Sequence, residues 1–124
     1  MNNSNFCSTP MVCDQNTNLY PFFEDCLSKA KIQNATLYSS ITFETNYSDP
    51  LAVIEQIHET NQSICYFEKQ SDEFSISCGD PIAKARFSGA ERFQQAKVWS
   101  QQLLSDTLVA GDHKVEGSGP TLFL

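Results

Sequence analysis

Basic side chains are scarce in this chain: eight Lys and Arg stand against fifteen Asp and Glu, for a formal net charge of -7. Such a surface repels phosphate backbones and offers no cationic stripe to neutralise them, which excludes nucleic acid as a partner. No apolar run approaches the ~20 residues that span a bilayer. The first twenty residues, MNNSNFCSTPMVCDQNTNLY, have neither a basic n-region nor an apolar h-region. The expectation is a cytoplasmic protein with no membrane partner. The five cysteines, at 7, 13, 26, 65 and 78, are odd in number and include no Cys-x-x-Cys pair. With no His nearby, they signal neither a disulfide framework nor a zinc site, and read as reduced thiols. The Asn-x-Ser/Thr triplets at Asn34, Asn46 and Asn61 carry no weight as glycosylation acceptors without a secretion signal. No internal repeat is evident.

What is present is ordinary globular material: 40% hydrophobic and 11% aromatic residues, nine of them Phe, in a length that suits one domain. Residues 1–18 are rich in Asn, Ser and Thr with no apolar period, and read as a disordered tail. From Tyr20 to Gln33, Phe22, Phe23, Cys26, Leu27 and Ala30 recur at helical spacing after Pro21, predicting an amphipathic helix. Residues 35–47 alternate Leu37, Ser39, Ile41, Phe43 and Thr45 on one face, predicting a strand. Asp49-Pro50 then opens a helix of about ten residues, with Asp accepting orphan N–H groups and Pro supplying the first helical φ. Leu51, Val53, Ile54, Ile57 and His58 mark its apolar side.

Gln62–Glu68 and Glu73–Cys78 read as two strands joined by Lys69–Asp72, an antiparallel hairpin. Gly79-Asp80-Pro81 breaks the second, and Ile82–Phe87 reads as a third strand of the same meander. Ser88-Gly-Ala-Glu91 has the form of a capping box. It predicts a helix over 89–106 that buries Phe93, Ala96, Trp99, Leu103 and Leu104. Residues 107–119 read as a loop, and Pro120–Leu124 as the beginning of a strand whose apolar edge lacks a neighbour. The fold class expected is α+β, an antiparallel sheet with packed helices.

Candidates for chemistry are few. His58 and His113 have no Ser, Cys or carboxylate at a spacing that builds a triad or metal site, and read as structural. Glu68, Asp72 and Glu73 flank the hairpin turn, where charges are ordinarily solvated. Gly111, Gly117 and Gly119 do not form a phosphate cradle. Cys65 and Cys78 can face one another across the hairpin, but among apolar strand residues they read as small buried hydrophobes. The stripe Phe93, Ala96, Trp99, Leu103 suits either a partner or the chain's own core. No catalytic, cofactor-binding or metal-binding residue is assigned.

The order of segments resembles a known family. A strand, then Asp49-Pro-Leu-Ala-Val-Ile54, Cys65-Tyr-Phe-Glu68, Gly79-Asp-Pro-Ile-Ala83, Gly89-Ala-Glu-Arg-Phe93 and Gly119-Pro120 are similar to the amino-terminal region of isochorismate synthase. That enzyme belongs to the chorismate-utilising superfamily, and the resemblance covers residues 20–124. In such enzymes the strand corresponding to Cys65–Glu68 resembles Phe-Tyr-Trp-Glu, and a Gly-x-x-Arg-Phe signature opens a helix. The Gly-Pro segment leads into a strand of the form Phe-x-Gly-Gly-Phe-x-Phe. The Leu-Leu-Glu-Ser motif of tryptophan-sensing anthranilate synthases is replaced here by Leu37–Phe43, which argues against feedback binding of an amino acid.

The resemblance implies a larger two-sheet chorismate-utilising fold whose general-base lysine, acidic partner and Mg²⁺-binding glutamates lie in a carboxy-terminal half. Residues 19–124 are then an incomplete amino-terminal α+β segment. The whole enzyme would isomerise chorismate to isochorismate with Mg²⁺, for menaquinone, phylloquinone or salicylate-type pathways. This chain would hold no cofactor and would serve as scaffold, with that chorismate-binding half as its partner. The alternative is an independent small α+β binding or protein-interaction module.

Overall fold

The computed structural model describes residues 13–14, 16–46, 48–112 and 114–124. In chain order the elements are α1 (Tyr20–Gln33), β1 (Tyr38–Ile41), α2 (Pro50–Thr60), β2 (Cys65–Lys69), a 3-10 turn (Gln70–Asp72), β3 (Phe74–Cys78), α3 (Arg92–Ser105) and β4 (Thr107–Ala110). The class is α+β, as expected. The chain divides into two compact units, one of residues 46–86 and one of the flanking segments up to Thr45 and from Phe87 onward.

The unit of flanking segments is built on β1 and β4, which pair in parallel with Tyr38 opposite Thr107 and Ile41 opposite Ala110. The ladder is extended at both ends, by Tyr38 N–H to the Asp106 carbonyl (2.8 Å) and Thr42 N–H to the Ala110 carbonyl (3.0 Å). β4 was expected to be loop. Its sequence Thr-Leu-Val-Ala is short and uninterrupted by polar alternation, the pattern of a parallel strand covered on both faces, and Thr107, Leu108 and Val109 are indeed buried. The expected strand over 35–47 is trimmed to four residues. Beyond it Phe43 pairs through a parallel bridge to Cys13, in which Glu44 N–H donates to the Cys13 carbonyl (3.0 Å). Cys13, within the stretch 1–18 expected to be a tail, is buried; residues 1–12 and 15 of that stretch lie outside the described residues.

α1 keeps its expected bounds, starts with Pro21 in its first turn and ends on Asn34 in the left-handed region at φ 49°. It presents Phe22, Cys26 and Ala30 inward as half-buried residues. The Ser39 hydroxyl donates to Cys26 Sγ (3.5 Å), setting α1 beside β1. In α3 the half-buried positions are Ala96, Trp99, Ser100 and Leu103, at i, i+3, i+4 and i+7. Trp99 meets Phe87 edge-on, with ring centroids 6.1 Å apart. Phe93, in the first turn, and Leu104, at the flank of that stripe, were expected in the core and are exposed.

The capping box is not formed. α3 starts at Arg92, with Glu91 as N-cap and no side-chain cap bond. Gly89, at φ 88°, makes a separate turn closed by Arg92 N–H to the Gly89 carbonyl (3.4 Å), and this offsets the helix from Ser88. Residues 120–124 form no ladder and are exposed. The strand expected there is absent because no backbone neighbour is hydrogen-bonded along it.

The unit of residues 46–86 is a helix on a hairpin. Asp49 caps α2 through its side chain, accepting from Leu51 N–H (3.0 Å), with Pro50 at the first helical position. Val53, Ile54 and Ile57 are half-buried, and α2 lies against β3, where the Ser77 hydroxyl donates to the Pro50 carbonyl (3.2 Å). β2 and β3 pair antiparallel, with Cys65 opposite Cys78 and Lys69 opposite Phe74. The turn closes with Glu73 at φ 50°. The third strand expected at 82–87 does not form. The chain leaving β3 is held at Gly79-Asp80 toward the end of α2, and Pro81 offers no N–H to a ladder, so it does not fold back along the hairpin.

Candidate functional site

A connected set of polar groups lies where α2 ends and β3 ends. Asn61 terminates α2, its N–H bonding the Ile57 carbonyl (2.9 Å) and its side-chain amide donating to the same carbonyl (3.0 Å) and to Thr60 Oγ1 (2.9 Å). Its Oδ1 accepts from Asp80 N–H (2.9 Å). The Asp80 carboxylate in turn accepts from Ser63 N–H (2.7 Å) and Gln62 N–H (3.3 Å). A Cβ on Gly79 would come within 2.5 Å of Asn61 Oδ1, so glycine is what lets the two segments meet. Each group here satisfies backbone, and an Asp committed to two N–H donors is a clasp rather than a proton acceptor for a substrate.

Sequence reasoning met both halves of this clasp without joining them. Asn61 stood out only as a sequon and Asp80 only as part of a strand break. A polar residue directly after a helix and an Asp directly after a strand are local signals, and their pairing over nineteen positions is not.

Among the described residues, His58 and the carboxylates do not assemble a site. His58 is exposed on α2, and His113 lies outside the described residues. Asp72 is ion-paired with Lys69 and accepts from the Ser71 hydroxyl (3.2 Å), while Glu68 and Glu73 are exposed. Gly111 and Gly119 serve the backbone around β1. Gly111 packs against the Thr42 carbonyl, and Gly119 N–H donates to Thr42 Oγ1 (3.3 Å).

The reactive groups the fold does bring face to face are Cys65 and Cys78. They are register partners at the open end of the hairpin and half-buried. Burial first, and the neighbouring Cys65 second, push the Cys78 thiol up from its ordinary value of 9.0.

Among the described residues no group of three or more His, Cys, Asp or Glu is placed to hold a metal ion. Also among the described residues, no helix is long and apolar enough to cross a membrane.

Comparison with known proteins gives one finding. The family model described as "Chorismate binding enzyme" matches residues 24–124, spanning both units. No curated protein and no solved structure gives a significant match.

Proposed function

This chain belongs to the chorismate binding enzyme family, and on that premise we propose that it is the amino-terminal scaffold of an isochorismate-synthase-like isomerase. Completed by a chorismate-binding carboxy-terminal half, it would take part in converting chorismate to isochorismate with Mg²⁺, for menaquinone, phylloquinone or salicylate-type biosynthesis.

The observation that carries this reading is the family match across residues 24–124. Isochorismate synthase in particular is supported by four of the ordered segments, which lie at or within elements. Asp49-Pro50 starts α2, Cys65–Glu68 lies in β2, Gly79-Asp80 holds the clasp, and Gly89–Phe93 makes the turn into α3. A scaffold role is supported by the apolar surface, since Ile32, Ile82 and Phe93 are 84%, 79% and 75% exposed. Large apolar side chains in such number suit burial against further protein.

The test is to incubate the chain with chorismate and Mg²⁺, alone and with a separately produced carboxy-terminal half of an isochorismate synthase, and to follow isochorismate by chromatography. The expected result is no product from the chain alone, and more product from the mixture than from the carboxy-terminal half by itself. Isochorismate formed by the chain alone would overturn the scaffold role. A mixture no more active than the added half, with no association on size exclusion, would overturn the pairing.

The second reading, an independent interaction module, is favoured by the closure of residues 46–86 through the Asn61–Asp80 clasp. A monodisperse monomer with a sharp thermal transition would support it.

A further inference from the structure

Cys65 and Cys78 come from opposite strands and are thirteen positions apart, yet the hairpin register sets them directly opposite one another. Directly opposed residues of an antiparallel pair have Cα atoms about 4.5 or about 5.5 Å apart, depending on the type of pair. Both spacings fall inside the range of roughly 4.4–6.8 Å that a disulfide spans. The Cβ atoms of such pairs stand about 4.5–5.5 Å apart, so closing an S–S bond requires the strand ends to draw in by on the order of 1 Å. No ladder beyond the pair resists that movement, since residues 63–64 and 79–80 are not in the sheet, and the Asp80 carboxylate on Ser63 N–H ties the two segments toward one another. Both residues are reduced and half-buried, so a small reagent can reach them. The other described cysteines differ: Cys13 is buried in the bridge to Phe43, and Cys26 accepts a bond from Ser39.

We propose that Cys65 and Cys78 form a dithiol modification site, closed to an intramolecular disulfide by exchange with a low-molecular-weight disulfide. The Cys65 thiolate attacks one sulfur of the small disulfide, forming a mixed disulfide and expelling one small thiolate. Cys78 then loses its proton to solvent and attacks the Cys65 sulfur, expelling the second small thiolate. Two protein thiols are oxidised, one small S–S bond is reduced, and both leaving thiolates take up protons according to pH. The raised proton affinity of Cys78 disfavours it as the first attacker and suits it to the resolving role, where the target sulfur is already beside it.

The full chain is incubated with oxidised glutathione, remaining thiols are alkylated, and tryptic peptides are read by mass spectrometry. Cleavage after Lys69 puts Cys65 and Cys78 on separate peptides. The expected product is one species in which those two peptides are joined, lighter than the reduced pair by two hydrogen atoms. Cys78→Ser is expected to stop the reaction at a glutathione adduct on Cys65. In denaturant the preference for this pair is expected to disappear, since register alone creates it. Native protein in which both thiols are alkylated, or in which the crosslinks are scattered over the other cysteines, would overturn the proposal. So would a Cys78→Ser variant with no adduct on Cys65.

Discussion

At the scale of single residues, two glycines separate backbone constraint from side-chain contact. Gly111 has φ 93°, and a Cβ there would meet the Thr42 carbonyl oxygen at 2.2 Å. That carbonyl belongs to the chain just after β1 and cannot swing aside as a side chain would. Gly111→Ala combines left-handed strain with a backbone clash, and is expected to cost at least ~2 kcal/mol in urea unfolding. At Gly79 the obstructing atoms belong to the Asn61 side chain, which can rotate away by opening the clasp. Gly79→Ala is therefore expected to cost less than Gly111→Ala, because the exposed Asn61 partners Thr60 and Asp80 can turn to water and the loss is about 1 kcal/mol. Equal losses at the two sites would contradict the distinction.

Cys78 supplies the residue-scale pH dependence. Its thiol is pushed above 9.0 in the folded chain, so the folded state holds that proton more tightly than the unfolded state. The stability this contributes is fully present below about pH 9 and is lost as pH rises through the raised value. Urea midpoints measured from about pH 8 to about pH 10 should fall, and Cys78→Ser should make the fall shallower. An unchanged slope in the variant would assign the alkaline loss to other groups.

At the scale of elements, two helix starts that look equally persuasive in sequence behave differently. Asp49-Pro50 forms the cap it promises, with Asp49 accepting from Leu51 N–H. Ser88–Glu91 does not, because the turn at Gly89 moves the start of α3 to Arg92. Asp49→Ala is therefore expected to lower stability by about 1 kcal/mol, whereas Ser88→Ala should leave the midpoint unmoved. A Ser88→Ala loss as large as that of Asp49→Ala would restore the capping box.

The same contrast governs how much of the fold was legible. α1, α2 and the hairpin are each specified by residues close in sequence, and their positions follow from spacing, Pro and the polar turn. β1 was visible but overextended, since a strand lasts only as far as its neighbour, and β4 supplies only four residues of ladder. β4 itself was unreadable as a strand because its partner stands about seventy positions earlier. The candidate-site reading fared likewise: the Cys65–Cys78 opposition came from hairpin symmetry, while the Asn61–Asp80 clasp needed the tertiary approach of two segments.

At the scale of the whole molecule, the balance is between a small core and a large apolar surface. The buried hydrophobic residues among those described are Cys13, Leu108 and Val109, while large apolar side chains on all three helices are exposed. The isolated chain is expected to show helix and strand signal in circular dichroism together with strong binding of a hydrophobic dye. Adding the carboxy-terminal half of an isochorismate synthase is expected to suppress that binding as Phe93 and its neighbours are covered. A chain that binds no dye and melts in a sharp transition would instead favour the independent module.

The amino-acid sequence by itself determined the α+β class, the acidic character, the bounds of α1, the capped start of α2 and the presence of the hairpin. Each of these rests on interactions within a few residues or on composition. Only the tertiary structure decided that β1 pairs in parallel with β4, that Cys13 is buried beside Phe43, that Asp80 closes on Asn61, and that residues 82–87 and 120–124 are not strands. Those outcomes depend on which distant backbone groups come within hydrogen-bonding reach, and local pattern carries no information about that.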